Sequence, residues 1–285
     1  MSLPPNTTPA PASIFEPAMS PASAAPPAAE PSQAPPTPEG QTQQPLDTQK
    51  PLVAAPKEST FPVPRLRLRI DDITNPGAAI FIDNTKSHLL PRSVAQVQKH
   101  LYDQPSTPGL HHPPTRSVTL YVRDFNGVAY TTGKDLDPDH HKEIHLSTKY
   151  LTSVSADRRA HEIEGVVLHE LVHCYQYNGA NAAPGGLIEG LADWVRLQAG
   201  LAPPHWHKVD GIKGAWDAGY QHTAYFLQYL EDRFGSGTVR RLNEGLRGRK
   251  YETKPFWTGI LGRPVEQLWE DYKKSVNNGD AKPTQ

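Results

Sequence analysis

The stretch Glu162-Ile-Glu-Gly-Val-Val-Leu-His169-Glu170-Leu-Val-His173-Cys-Tyr-Gln176 decides how the rest of the chain is interpreted. It contains His-Glu-x-x-His, two histidines four residues apart with a glutamate directly after the first. On a helix these histidines share one face, about 6 Å apart at Cβ, and both imidazoles can bind one Zn²⁺. Glu170 is rotated about 100° from His169. We therefore expect it to take a proton from a zinc-activated water and not to bind the metal.

The same stretch is apolar on nearly every side, which is typical of a helix buried in the middle of a domain. Its apolar residues are Ile163, Val166, Val167, Leu168, Leu171 and Val172. The plain alternative is a core helix with two satisfied histidines and one surface glutamate. Buried histidines and glutamates are costly unless something compensates them. A metal ion would do so, and the sequence therefore favours a metal site.

A second helix-like segment, 186–197, supplies candidates for the remaining ligand. Catalytic zinc has three protein ligands and one open position. Glu189 and Asp193 lie four residues apart on one face, and the turn at 182–186 lets this helix return against the first. We assign Glu189 as the third ligand and Asp193 as the acceptor that orients a ligand histidine. The reverse assignment, with Asp193 on the metal, stays open.

Four motifs together resemble the basic secretory protein family, plant and microbial proteins identified as zinc metallopeptidases. They are the segments 169–176 and 185–196, Gly219-Tyr220-Gln-His-Thr-Ala-Tyr-Phe-Leu227 and Leu261-Gly-Arg-Pro-Val-Glu-Gln-Leu-Trp-Glu-Asp-Tyr272. The resemblance covers about residues 63–275 and implies a gluzincin-like peptidase. The order Glu-Gly-x-Ala at 189–192 also resembles the third-ligand helix of gluzincin aminopeptidases, which favours Glu189 as the ligand. Two departures from the family are the net charge of −1 and a start unlike a secretion signal.

Tyr220 begins a predicted helix that ends at Gly235. The resemblance to gluzincin aminopeptidases implies that a tyrosine here stabilises the oxyanion of the tetrahedral intermediate, an effect of a few kcal/mol. We assign this role to Tyr220, with His222 as the alternative. A tyrosine that only packs at a helix start has equal weight, because geometry decides such roles.

In the part of the chain before the metal-binding stretch, apolar and polar residues alternate along short segments, which is typical of the strands of a small sheet. Strands are predicted at 63–70, 117–123, 128–132 and 142–147. The pair Asn126-Gly127 suits a tight hairpin between the second and third of these. The run at 78–82 and a helix near 87–103 complete an αβ opening. We expect 142–147 to be the edge strand that pairs with extended substrate.

Composition divides the chain into three parts. Residues 1–60 hold half of the 30 prolines and are predicted to be a disordered Pro/Ala-rich leader. We expect residues 61–276 to form one α+β, zincin-like metallopeptidase domain and 277–285 to form a loose tail. In this domain a small mixed sheet packs on the His-Glu-x-x-His helix, and the C-terminal half is mostly helical.

The loop-like segment 201–219 separates two of the predicted helices. It either shapes a substrate cleft or is a connection held by two tryptophans. His205 and His207 lie within it, and they could bind a second metal. Pairs of surface histidines usually do not, so we assign them no role. Further helices are predicted near 236–247 and at 264–275.

Charge and cysteine content exclude several classes of partner. The net charge is −1 without a clustered basic patch, so no nucleic acid or membrane partner is expected. No run approaches the 18 apolar residues of a membrane helix. A single cysteine, Cys174, rules out an internal disulfide and fits a reducing compartment. We therefore expect a cytoplasmic protein, with secretion as the alternative that the resemblance implies, and a monomer by default.

These observations lead to a zinc-dependent metallopeptidase that acts on peptide or protein substrates. The water would be activated by Zn²⁺, with Glu170 as general base. A rival from another class is a zincin-fold binding or defence protein that holds zinc without catalysis. A third possibility, hydrolysis of a non-peptide amide or ester, uses the same residues.

Overall fold

The computed structural model describes residues 61–102, 111–134, 137–208 and 214–277. The predicted leader at 1–60 and all but the first residue of the predicted tail lie outside the described residues. Within these described ranges, four strands precede the metal-binding stretch: β1 (Arg65–Ile70), β2 (Ser117–Arg123), β3 (Ala129–Gly133) and β4 (His141–Ser147). The helices are α1 (Pro76–Asn84), α2 (Leu89–Leu101), α3 (Thr148–Ser153), α4 (Arg159–His173), α5 (Gly185–Gln198), α6 (Tyr220–Phe234), α7 (Thr238–Gly245), α8 (Thr253–Leu261) and α9 (Val265–Asn277).

The strands form one mixed sheet in the order β1-β2-β4-β3. Strands β1, β2 and β4 run parallel, and β3 runs antiparallel to β4. On the face that packs against the helices, Val118, Leu120, Ile144 and Leu146 are fully buried. The predicted α+β class, with a small mixed sheet and a mostly helical C-terminal half, is confirmed.

The predicted hairpin between β2 and β3 is wrong. Strand β4 lies between them, and the antiparallel pair is β3 with β4. Asn126 and Gly127 lie in the connection between β2 and β3, where Gly127 has a φ of 135°. Such a dipeptide sets a local chain reversal but does not choose the neighbouring strand. Because β2 is buried along most of its length, it takes a central position with a partner on each side.

The prediction that 142–147 is the edge strand is also wrong. Strand β4 is central, and β3 occupies the edge. Burial explains the exchange, because Ile144, His145, Leu146 and Ser147 of β4 are all buried. Strand β3 has no fully buried residue, as is usual at the rim of a sheet.

The run at 78–82 lies in α1 and adds no strand to the αβ opening. Asn75 caps this helix, since its side chain accepts a hydrogen bond from the Gly77 amide at 2.8 Å. Pro76 occupies the first helical turn, where its missing N–H costs nothing. A cap of Asn followed by Pro is a helix-start signal, and here it outweighs the β-forming character of the apolar run.

Helix α4 lies in the middle of the domain, and ten of its 15 residues are buried. It packs against α2, α5 and the β3 side of the sheet. Helix α6 packs closely on α5, because a Cβ added at Gly190 would lie 2.3 Å from Thr223 Cγ2. Among the described residues, no helix is long and apolar enough to cross a membrane.

The described part of the connection between α5 and α6 is held in place by its two tryptophans. The Arg196 guanidinium lies over the Trp206 ring at 5.4 Å, and Trp216 packs edge-on against Trp257 at 5.2 Å. These contacts favour a connection held by its two tryptophans over a loop that shapes a substrate cleft. Residues 209–213 of the predicted loop lie outside the described part.

Candidate metal centre

Helices α4 and α5 run antiparallel and bring three candidate ligands together. His173 Nε2 lies 3.1 Å from His169 Nε2, and His169 Nε2 lies 3.1 Å from Glu189 Oε2. His173 Nε2 is 3.7 Å from Glu189 Oε1. One ligand atom from each residue thus lies within 4.8 Å of the others. We call His169, His173 and Glu189 the metal cluster; among the described residues it is the only group of three or more such side chains.

The far side of each imidazole has an acceptor that fixes the position of its proton. His169 Nδ1 lies 2.6 Å from Asp193 Oδ1, and His173 Nδ1 lies 3.1 Å from Gln176 Oε1. Because both oxygens only accept, each Nδ1 must donate. Each Nε2 of a neutral ring then presents a lone pair to the centre of the cluster. Asp193 occupies the position assigned to the orienting acceptor, and Glu189 the position of the ligand.

Without a cation, the cluster is a concentration of acceptors. Burial lowers the pKa of His169, but the charge of Asp193 and the hydrogen bonds to Asp193 and Glu189 outweigh burial and raise it to about 10. Burial also raises the pKa of Glu189, yet its hydrogen bonds to His169 and His173 lower it overall. The arrangement therefore binds positive charge, as a proton or as a metal ion. Two imidazole nitrogens and a carboxylate are a ligand set that suits Zn²⁺.

Glu170 follows His169 on α4, and its side chain contacts β3. Its carboxylate Oε2 accepts a hydrogen bond of 2.7 Å from Thr131 Oγ1. The residue is 7% exposed and belongs to no ligand group. This geometry fits a base beside the metal and not a fourth ligand.

Tyr220 lies at the first turn of α6, beside the metal cluster. Its ring is nearly parallel to that of His169, with centroids 6.4 Å apart and 15° between the planes. Burial, followed by the charges of Glu189, Asp193 and Glu170, raises the pKa of Tyr220, so the phenol keeps its proton. Its φ is 48°, an uncommon conformation for a residue with a side chain.

Neither alternative in this region joins the metal cluster. His222, the alternative to Tyr220, has a buried Nδ1 without a hydrogen-bond partner. His205 and His207 belong to no metal-binding group in the described part of the chain.

Two contacts of the site were not predicted from the sequence. Gln176 closes the quoted stretch three residues after His173, and that spacing was a usable signal. Its amide also donates to the Ile188 carbonyl at 3.0 Å, which ties the end of α4 to α5. Thr131 lies 39 residues before Glu170 along the chain. No local pattern reveals a partner across that separation.

Comparison with known proteins identifies the family. A family model described as a peptidase of plants and bacteria matches residues 63–272. The chain belongs to the basic secretory protein family. The matched region contains α4, α5 and Tyr220, and so the whole metal cluster. Comparisons with curated proteins and with solved structures gave no significant match. The family description places the chain among peptidases and names neither a metal nor a catalytic residue.

Proposed function

We propose that this member of the basic secretory protein family is a zinc metallopeptidase. The convergence of His169, His173 and Glu189, within a chain whose family is described as peptidases, carries the proposal. These three residues would hold Zn²⁺, which when bound supplies Lewis-acid activation of a water molecule and of the scissile carbonyl. The substrates would be peptides or proteins.

A zincin-like architecture is part of the proposal. Its support is the His-Glu-x-x-His helix packed under a mixed sheet, with the third ligand on the next long helix. An antiparallel edge strand, β3, lies against the same helix through Thr131. Helices α4 and α5 thus carry the ligands, and β3 borders the site.

Glu170 would act as general base and then as general acid. A buried carboxylate beside the ligands can take the proton from the attacking water and pass it to the leaving amine. Tyr220 would donate its phenolic proton to a hydrogen bond with the developing oxyanion, since its raised pKa keeps that proton in place.

Substrate would bind along β3. An extended peptide can add to an open sheet edge by main-chain hydrogen bonds, and the role expected for 142–147 passes to β3 because β4 is central. Such a peptide would lie next to Glu170, which β3 already contacts.

The test is Glu170→Gln, with Glu164→Gln on the same helix as the matched control. Glu164 has a partly exposed side chain, and its ion-pair partner Arg92 lies 3.9 Å away. Zinc content, thermal unfolding and cleavage of casein and of a peptide library are measured for each full-length protein. We expect about one zinc per chain throughout, and a loss of at least roughly a thousandfold in peptide cleavage for Glu170→Gln alone.

Two outcomes would contradict the proposal. Full turnover by Glu170→Gln would remove the assigned base. Stoichiometric zinc without cleavage of any peptide by the wild-type protein would favour a binding protein that holds the metal structurally.

A further inference from the structure

Thr131 is directed from the edge strand toward the metal helix. In β3 it lies opposite Ile144 of β4, and Ile144 is fully buried on the helix-facing side of the sheet. Side chains alternate along a strand, so Tyr130 and Thr132 lie on the other side. Tyr130 there stacks on His145, with ring centroids 4.5 Å apart. The two neighbouring threonines of β3 therefore face opposite surroundings.

The Thr131 hydroxyl lies between two oxygens of Glu170. It is 2.7 Å from the carboxylate Oε2 and 3.0 Å from the main-chain carbonyl. The carbonyl lies in the last turn of α4, where helix carbonyls lose their regular partners. The amide of Cys174 bonds instead to Leu171 O at 3.1 Å. The hydroxyl has one proton to donate. The carboxylate Oε2 receives it, because this oxygen is charged and closer and is therefore the stronger acceptor.

The Glu170 carboxylate depends on Thr131 for its hydrogen bond. Within the described part of the chain, no second hydrogen-bond donor to either of its oxygens is present. A buried carboxylate side chain has several staggered rotamers, and it needs a fixed partner to hold one of them. Thr131 provides that partner from outside α4.

We propose that Thr131 is a positioning residue for the peptidase reaction. It holds Oε2 of Glu170 through its hydroxyl and leaves Oε1 to face the water that is to be deprotonated. This inference rests on the proposed function, because it assigns Glu170 the role of base. It also links the reaction to β3: the strand that would bind substrate would orient the base through the same residue.

The role is separable from metal binding, because the Thr131 hydroxyl bonds to Glu170 and to none of the three ligands. Thr131→Val removes the hydroxyl at nearly constant volume, and Thr131→Ser keeps it. The matched control is Thr258→Val, the same change on α8, where the hydroxyl donates only to the Lys254 carbonyl of its own helix at 2.8 Å.

The first experiment measures kcat and KM of the zinc-loaded, full-length variants on one peptide, together with zinc affinity by chelator competition. We expect Thr131→Val to lower kcat by roughly 10- to 100-fold, with KM and zinc affinity within about threefold of wild type. Thr131→Ser should restore most of kcat, and Thr258→Val should match wild type. If the wild type cleaves the peptide and Thr131→Val is equally active, the positioning role alone is overturned. A wild type that cleaves no peptide would remove the proposed function and this role with it.

The second experiment does not depend on activity. Urea unfolding of full-length, metal-free protein is compared for Thr131→Val, Glu170→Ala and the double variant. We expect Thr131→Val to raise the unfolding equilibrium constant roughly tenfold when Glu170 is present and less than about threefold when it is absent. Equal effects in both backgrounds would show that the two side chains do not interact in solution, and would overturn the inference even if the enzyme is a zinc peptidase.

Discussion

Two polar clusters lie between the same helices, α4 and α5, and they differ in the balance of donors and acceptors. Near the start of α4, Glu162 accepts from Tyr150 at 2.7 Å and pairs with Arg158 at 3.2 Å and Arg196 at 3.1 Å. We call these four residues the salt-bridge cluster. The metal cluster lies at the other end of α4 and contains only ligand atoms that accept.

The difference shows which polar cluster is complete without a bound ion. Burial raises the pKa of Glu162, but the charge of Arg196 and the hydrogen bond from Tyr150 lower it overall, so the carboxylate stays charged among donors. In the metal cluster, the corresponding balance is reached only by binding a proton or a cation. A buried cluster of acceptors without donors therefore indicates a ligand, whereas a matched cluster indicates structure.

The largest expected effect is on stability, from Arg196→Met in the salt-bridge cluster. The substitution removes a buried partner of Glu162, and breaking a buried pair costs about 3–5 kcal/mol. Zinc affinity should stay within about threefold, because the metal cluster lies further along the helices. Arg158→Met is the control, since the side chain of Arg158 is more exposed and its loss should cost about 1 kcal/mol or less. Urea unfolding measures both, and equal losses would contradict the difference in burial.

Removing one ligand from the metal cluster comes next. A structural zinc site is worth about 10–16 kcal/mol over four ligands, so His173→Ala should weaken zinc binding at least a few hundredfold. The free energy of unfolding of the metal-free protein should change much less in His173→Ala than in Arg196→Met. His161→Ala, on the same helix but bonded only to the Gly200 carbonyl at 3.3 Å, should bind zinc as wild type does. Chelator competition separates the two, and tight binding by His173→Ala would remove His173 from the ligand set.

The metal cluster should also show competition between zinc and protons. The pKa of His169 is raised to about 10 in the metal-free fold, against about 6.5 for an unfolded histidine. Its protonation therefore stabilises the metal-free fold fully below pH 6.5, and this contribution is lost as the pH rises through 10. Zinc must displace that proton, so zinc affinity should rise roughly tenfold per pH unit, about a hundredfold from pH 7 to pH 9. If the zinc affinity measured by competition titration reaches a plateau above pH 6.5, His169 has the pKa of an ordinary histidine and the prediction is wrong.

The smallest expected effect tests how Arg196 reaches Glu162. A Cβ added at Gly165 would lie 2.5 Å from Arg196 Nε, so the guanidinium lies directly on the backbone of α4. Gly165→Ala should cost about 1–2 kcal/mol, because overpacking outweighs the gain in helix propensity. Gly185→Ala is the control, because apart from the adjoining backbone nothing lies within 4 Å of the added methyl. Thermal unfolding in which both variants are equally stable would contradict this close approach.

The sequence predicted whatever depends on helical periodicity. Residues four apart share a helical face, so the pairs His169 with His173 and Glu189 with Asp193 could be placed before the fold was known. It also predicted the four strands. The choice of neighbours in the sheet was wrong, because Asn126-Gly127 is a local signal, whereas strand order depends on which strand is buried on both sides. Thr131 was missed for the same reason, since its contact with Glu170 exists only once β3 takes the edge.

The close approach of Thr223 to Gly190 ties the start of α6 to α5. Thr223 Oγ1 also accepts from the Gly219 amide at 3.0 Å and donates to the Trp216 carbonyl at 2.9 Å, so one residue fixes both the spacing of α5 and α6 and the start of α6. The location of the Tyr220 phenol is therefore set by the packing of the Thr223 side chain of α6 on the backbone of α5 at Gly190. The start of α6 is thus held from two sides, by α5 at Gly190 and by the segment 216–219, both within the described part of the chain.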